Sequence, residues 1–218
     1  MRTIAFVTQK GGSGKSTLAT SLAVAAMGAG ERVFMLDMDP QRSLMSWAKM
    51  RGRDDLPVEA VTAGRLAPTL AALEENGFTL VVIDTPGVEG AASVAAMKAA
   101  DLNIIPARPN AFDLWASEVT RKALKEHKAD FAFALNQCPP AQQTARVQQG
   151  AEALEAMGGL ITPLILTRVD YQEAARAGLG VTELHPSGAA ADEMKAMWSS
   201  IKRRLARRRK AVPARKAA

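Results

Sequence analysis

Lys10-Gly11-Gly12-Ser13-Gly14-Lys15-Ser16-Thr17 is the stretch that decides the reading of this chain. It follows a β-branched and aromatic run, Ile4 to Val7, that stops at Thr8. It opens a helical pattern from Lys15 to Met27, with Leu18, Leu22 and Ala25/Ala26 on one face and Gly28 and Gly30 at the end. Strand, glycine turn and helix in that order are the context a phosphate-binding loop needs. Glycines let the backbone curl so that several N–H groups point at one phosphate. The helix adds the positive end of its dipole. Lys15 is placed to reach the β- and γ-phosphates of a nucleotide, and the Ser16 hydroxyl to coordinate Mg²⁺.

The rest of the chain continues the alternation. Apolar strand runs are expected at Val33–Leu36, Val58–Val61, Leu80–Ile83, Leu102–Ile105, Phe131–Leu135 and Ile161–Leu166. Helical patterns lie between them, at Arg42–Met50, Leu66–Glu75, Ala91–Ala99, Phe112–His127 and Ala141–Met157. Uninterrupted apolar strands suit a sheet buried on both faces, and helical crossovers imply parallel pairing. The expectation is an α/β fold, a mostly parallel twisted sheet with helices on both faces.

Two further segments sit at strand ends, where open α/β sheets bind ligands. Leu36-Asp37-Met38-Asp39-Pro40-Gln41 follows the second strand, and Leu80 to Asp84 is an apolar strand closed by a carboxylate. The glycine loop departs from the general pattern G-x-x-x-x-G-K-[ST], because Gln9 stands five residues before Gly14 and a second lysine, Lys10, begins the loop. With these three segments in order, the chain resembles the ParA/MinD family of deviant Walker A ATPases over about residues 1–200. It is most similar to the short ParA proteins, P-loop NTPases that begin at the loop strand.

The resemblance implies ATP and Mg²⁺ as ligands, held by Gly11, Gly12, Ser13, Gly14, Lys15, Ser16 and Thr17, with Ser16, Asp37 and Asp84 around the metal. It implies a homodimer formed on ATP, in which Lys10 crosses to the partner's phosphates and Asp39 is linked to the attacking water. The division of roles between Asp37 and Asp39 stays open. Pro106 and Pro109, in Ile105-Pro106-Ala107-Arg108-Pro109, resemble a proline loop that flanks the nucleotide. Asn136 matches an asparagine that bonds adenine in relatives, or else it ends a strand as a turn residue. Asp113 lies near the nucleotide or caps the helix beginning there. Arg168 and Arg176 contact DNA phosphates or are solvated helix charges.

Charge is distributed unevenly. All 22 acidic residues lie at or before Glu193, and nine of the 28 Lys and Arg residues lie after Trp198. Residues 1–198 therefore carry a net −3 and residues 199–218 carry +9. Lys202, Arg203, Arg204, Arg207 and Arg208 are candidates for sequence-independent attraction to DNA, with an inert solvating tail as the alternative. The chain divides into an ATPase domain, 1–200, and a basic tail, 201–218, helical to about residue 208 and disordered beyond. A membrane partner is disfavoured, since Val212 is the one bulky aliphatic residue after Leu205.

A single cysteine, Cys138, and two histidines exclude a disulfide framework and a Cys- or His-rich metal site. Trp47, Trp115 and Trp198 read as core or interface anchors. The start lacks a signal-peptide pattern, so the expected compartment is the cytoplasm, in association with the nucleoid. The function implied is an ATPase that binds DNA non-specifically as a dimer. It would segregate or position a plasmid, chromosome origin or other cargo, with a ParB-like or other adaptor stimulating hydrolysis. The alternatives are a DNA-transfer accessory ATPase and a MinD-like membrane-positioning ATPase.

Overall fold

The computed structural model describes residues 1–139 and 145–211, with side chains as far as Arg207. In chain order the elements are β1 (Arg2–Phe6), α1 (Lys15–Gly28), β2 (Val33–Asp37), α2 (Ser43–Arg51), β3 (Val58–Ala60) and α3 (Ala63–Glu75). Then follow β4 (Leu80–Asp84), α4 (Ala91–Ala99), β5 (Leu102–Ala107), α5 (Ala111–Glu126) and β6 (Phe131–Leu135). The last four are α6 (Ala145–Gly158), α7 (Val169–Arg176), α8 (Val181–Leu184) and α9 (Ala189–Ala211). The expected start of α6, at 141–144, lies outside the described residues, as do the tail from 212 and its expected disorder. Among the described residues, no helix is long and apolar enough to cross a membrane.

The six strands lie in the order β3-β2-β4-β1-β5-β6, and every neighbouring pair is parallel. Period-two alternation divides their side chains between two cores. Ile4 and Phe6 of β1, with Leu80 and Val82 of β4, face α1, α2, α7, α8 and α9. Ala5 and Val7, with Val81 and Ile83, face α3, α4, α5 and α6. Both sets are apolar because both faces are covered, which is why these strands read as continuous hydrophobic runs. Chain connections run to one side of β1 before β4 and to the other side after it. A crevice therefore opens at the carboxyl end of β1.

One expected strand is absent. Ile161–Leu166 does not form a continuous strand; isolated parallel bridges stand just before it, Phe133 to Leu160, and at its end, Cys138 to Leu166. Pro163 stands in the middle of the run and has no N–H for a ladder. Partial pairing survives on either side, through Ile161 N–H to Phe133 O at 2.8 Å and Ile165 N–H to Leu135 O at 2.9 Å.

A buried cation fastens α2 to the segment between α7 and α8. The Arg51 side chain is fully buried. It donates to Gly178 O at 3.1 Å, to both Glu183 oxygens at 2.7 and 2.8 Å, and to both Asp55 oxygens at 2.8 Å. Its guanidinium lies 5.3 Å from the Trp47 ring centre, and Trp47 Nε1 donates to Leu179 O at 3.2 Å. Gly178 has φ +66°, and a Cβ there would meet the Arg51 backbone N at 2.2 Å, so the approach requires glycine. Arg51→Met should lower stability by about 1–2 kcal/mol, since it leaves the Gly178 carbonyl without this donor, while Arg53 still pairs with Glu183 and Asp55. An unchanged urea midpoint would show that α2 is held by its apolar face alone.

Candidate functional site

The glycine loop leaves β1 and closes on the first turn of α1. Gly12 and Gly14 have φ +74° and +92°, and Gly14 is the residue that caps α1. A Cβ on Gly14 would lie 2.3 Å from Asn136 Nδ2. Glycine is thus required there twice over, by backbone angle and by space. Asn136 reaches the loop from behind, its Nδ2 donating to Ser13 O at 2.8 Å, and Gln137 Nε2 donates to Gly12 O at 3.4 Å.

Strand register brings the carboxylates together. Phe6 and Asp37 are both Cα partners of Asp84, so β2, β4 and β1 end side by side beneath the loop. Asp84 is completely buried, and the Ser16 hydroxyl donates to its Oδ2 at 2.5 Å. Asp84 Oδ1 is buried with no hydrogen-bond partner among the described residues. Burial pushes the Asp84 carboxyl up to about 7, against the pull of Ser16 and Lys15. Burial also lowers the Lys15 ammonium from its ordinary value, while Asp84 and Asp39 act in the other direction.

Asp37 is committed differently. Its Oδ1 accepts from Asp39 N–H at 3.0 Å and its Oδ2 from Met45 N–H at 3.1 Å, so it anchors the start of α2. Burial raises its carboxyl as well, offset by those backbone donors. Arg42 Nη1 donates to Asp37 O at 3.1 Å, and Arg42 itself takes a left-handed φ of +56°, unusual for a residue with a side chain. Asp39 Oδ1 accepts from Gln41 N–H at 2.9 Å, and Asp39 lines the cleft.

That cleft has a volume of about 1070 Å³. Gly11, Gly12 and Gly14 to Thr17 form its floor, Ser13 being buried outside it, with Asp39, Pro40 and Gln41 at one wall and Pro86, Gly87 and Val88 at another. Sequence reading missed the remaining wall: Ser43, Ser46, Trp47 and Met50 of α2, with Ala175 of α7; Arg176, read as a DNA contact or a solvated charge, lines it too. The one signal for it was the helical pattern immediately after Gln41.

Other candidate residues lie elsewhere. Pro106 is buried within β5, and neither it nor Pro109 lines the cleft; Pro109 is buried opposite Gly150 of α6. Lys10 is also outside the cleft, its Nζ 2.8 Å from Asp113 Oδ2.

The basic candidates fall into separate places. Arg168 is taken up by Glu193, donating to its Oε1 at 2.7 and 2.9 Å. Arg176 is exposed at the cleft. Lys202 lies over the Trp198 ring and beside Met1 and Arg2, at the opposite end of the sheet. Arg204 is there too, donating to Phe131 O, while Arg203 and Arg207 are exposed. The Arg208 side chain lies outside the described residues.

Asp84 gives the nucleotide-free protein a defined pH response. Its folded carboxyl is raised above the unfolded value, so the folded state binds the extra proton between about pH 4 and pH 7. Stability from this group should fall as pH rises through that window and stay low above it. Asp84→Asn should flatten the slope and raise stability at pH 8 by on the order of 2 kcal/mol. A denaturation series in which the variant keeps the wild-type slope would contradict this.

Comparison with known proteins agrees with the site. A family described as "CobQ/CobB/MinD/ParA nucleotide binding domain" matches residues 4–208. The maintenance of carboxysome distribution protein A of Halothiobacillus neapolitanus is 30% identical over 209 residues, which cover 91% of this chain and 95% of that protein. The chromosome partitioning protein ParA of Caulobacter vibrioides is 31% identical over 156 residues, covering 52% of this chain and 58% of the relative. In fold the chain is similar to apo McdA of Cyanothece, with a TM-score of 0.78 at 16% identity over 92% of this chain and 99% of that one. A glycine loop with two lysines, on a six-stranded parallel sheet and matched nearly end to end, makes this chain a member of the CobQ/CobB/MinD/ParA family, carrying its ATPase domain.

Proposed function

We propose that this chain binds and hydrolyses ATP with Mg²⁺, pairs with a second copy when ATP is bound, and uses that cycle on DNA to distribute a large cargo. The observation that carries the reading is that Lys15 and Ser16 line the floor of an open cleft and Ser16 hydrogen-bonds the fully buried Asp84. Asp84 has one oxygen without a partner among the described residues and a carboxyl raised by burial, which suits a carboxylate that accepts a dication. Ser16 and Asp84 fit Mg²⁺ as hard oxygen donors, and Asp37 holds the loop beside them. The metal supplies neutralisation of phosphate charge. Backbone N–H groups of the loop and the start of α1 bind phosphate oxygens, and Lys15 adds a cation at the β- and γ-positions. Asp39, fixed by the Gln41 N–H and facing the cleft, positions the attacking water. Lys10 serves the partner's phosphates.

The proposed cargo follows from the relatives. The Halothiobacillus protein is named for carboxysome distribution and matches over almost its whole length, whereas the Caulobacter partitioning protein matches over about half. Positioning of a large body is therefore favoured over segregation of a plasmid or chromosome origin. An adaptor on the cargo, ParB-like or unrelated, would stimulate hydrolysis. Nucleoid DNA is the proposed track, held through Lys202, Arg203, Arg207 and the cations beyond them. Arg176, at the far end of the sheet, belongs to the cleft instead.

The test uses light scattering and DNA co-sedimentation of the full chain with ADP, ATP and a non-hydrolysed analogue. Lys15→Ala should lose pairing on ATP. Deleting the chain from residue 202 would also remove Leu205, which is buried in the core, so charge reversal is the cleaner probe of the basic end. Arg203→Glu with Arg207→Glu should keep pairing and reduce the salt slope of DNA binding by roughly 2, about one unit per lost phosphate contact. Pairing by Lys15→Ala would remove the site assignment, and an unchanged salt slope would move DNA to another surface.

A further inference from the structure

Arg42, at the start of α2, has φ +56° and ψ +40°, in the left-handed region. A residue that opens a helix ordinarily has extended angles, and the left-handed region suits glycine better than a residue with a Cβ. The Arg42 side chain turns back across the chain that precedes it. Its Nη1 donates to Asp37 O at 3.1 Å, an oxygen that also accepts the Val61 N–H at 2.9 Å. Asp39 lies inside the ring so closed. Its carbonyl accepts the Arg42 N–H at 2.9 Å, and its Oδ1 accepts the Gln41 N–H at 2.9 Å. The Asp39 N–H is held by Asp37 Oδ1 at 3.0 Å. On the other side, the Ser46 N–H donates to Arg42 O at 3.0 Å, so the angle at residue 42 also sets the direction of α2.

We propose that Arg42 is a positioning residue: its guanidinium, tied to the Asp37 carbonyl, keeps residue 42 left-handed, and that conformation fixes the Asp39 carboxylate at the cleft. The consequence for hydrolysis rests on the reading that Asp39 positions the attacking water. One end of the ring is rigid, because Asp37 is fully buried and paired in register with Asp84 and Ala60. The other end is not. Pro40, Gln41 and Arg42 are all exposed, so little packing holds their angles. A side chain at residue 42 without a tie is drawn from the left-handed towards the extended region. That rotation would swing the N–H that Asp39 O accepts and loosen the Gln41 contact that fixes Asp39 Oδ1. A guanidinium anchored on the rigid strand end opposes it. Arg42 does not line the cleft, so its effect on the reaction runs through Asp39 and not through contact with the nucleotide.

Two variants of the full chain separate the tie from the angle. Arg42→Ala loses the tie and keeps a Cβ that resists the angle. Arg42→Gly loses the tie and accepts the angle freely. The readouts are amide hydrogen-exchange protection at residues 41 and 42 in the nucleotide-free protein, and kcat and KM for ATP. Arg42→Ala should lower protection of both amides roughly three- to tenfold and lower kcat by a similar factor, as the competent conformer becomes a minor one, with KM held within about twofold. Arg42→Gly should return protection and kcat to within about twofold of wild type. Equal losses of kcat in the two variants would show that the guanidinium acts by its charge alone and would overturn the proposal, as would unchanged protection in Arg42→Ala. Lowered protection with unchanged turnover would keep the hold on the turn and overturn the water-positioning role of Asp39.

Discussion

A fully buried carboxylate, with one oxygen unpartnered among the described residues, organises the cleft end of this molecule. Asp84 ends β4, the strand inserted between β1 and β2, and its register places it level with Phe6 and Asp37. The strand order is what makes this possible, because β1 delivers the glycine loop and β2 delivers Asp37 to the same edge. Ser16 meets Asp84 from the first turn of α1. An uncompensated group in that position is unfavourable for folding and suited to a dication, the trade between stability and function that recurs at active sites. The sheet buried on both faces supplies the rigidity that holds the group in place.

The wall opposite the loop is built from longer-range contacts. Asp37 anchors the N-terminus of α2, while Trp47 and Arg51, one turn apart, fasten the other end to the backbone between α7 and α8. One short helix therefore joins the carboxylate edge of the sheet to the segment that contributes Arg176. Hydrogen bonds and a buried ion network thus join the Asp37 edge of the sheet, through α2, to the segment after α7. Lys202 and Arg204, within α9, lie at the opposite end of the sheet from the cleft.

Much of this was legible in the sequence where the determinants are local. The glycine loop, Asp37, Asp39 and Asp84 each follow an apolar strand directly, so position along the chain fixed position at the sheet edge. Local pattern misled at Ile161–Leu166, where an apolar run contains Pro163 and pairs only in isolated bridges. The resemblance, in turn, placed Pro106 in a loop, although the strand runs on through Ala107. Asn136 braces the loop, Arg168 is engaged by Glu193, and Asp113 holds Lys10 and Arg108; each of these is a pairing across 25 or more residues, apart from Arg108–Asp113. Periodicity cannot show such pairs, because nothing in the spacing of one segment encodes which distant side chain will face it. The α2 wall of the cleft was missed for the same reason.

The central claim is that burial raises the Asp84 carboxyl to about 7 in the nucleotide-free protein and that accepting the metal lowers it again. Titration of preformed Mg-ATP into the protein near pH 6.5, in buffers of different ionisation enthalpy, counts the protons exchanged on binding. Displacement of the Asp84 proton by the dication should release roughly half a proton or more per site, and Asp84→Asn should abolish that release. Binding of Mg-ATP by the wild-type chain with no net proton release would contradict the account.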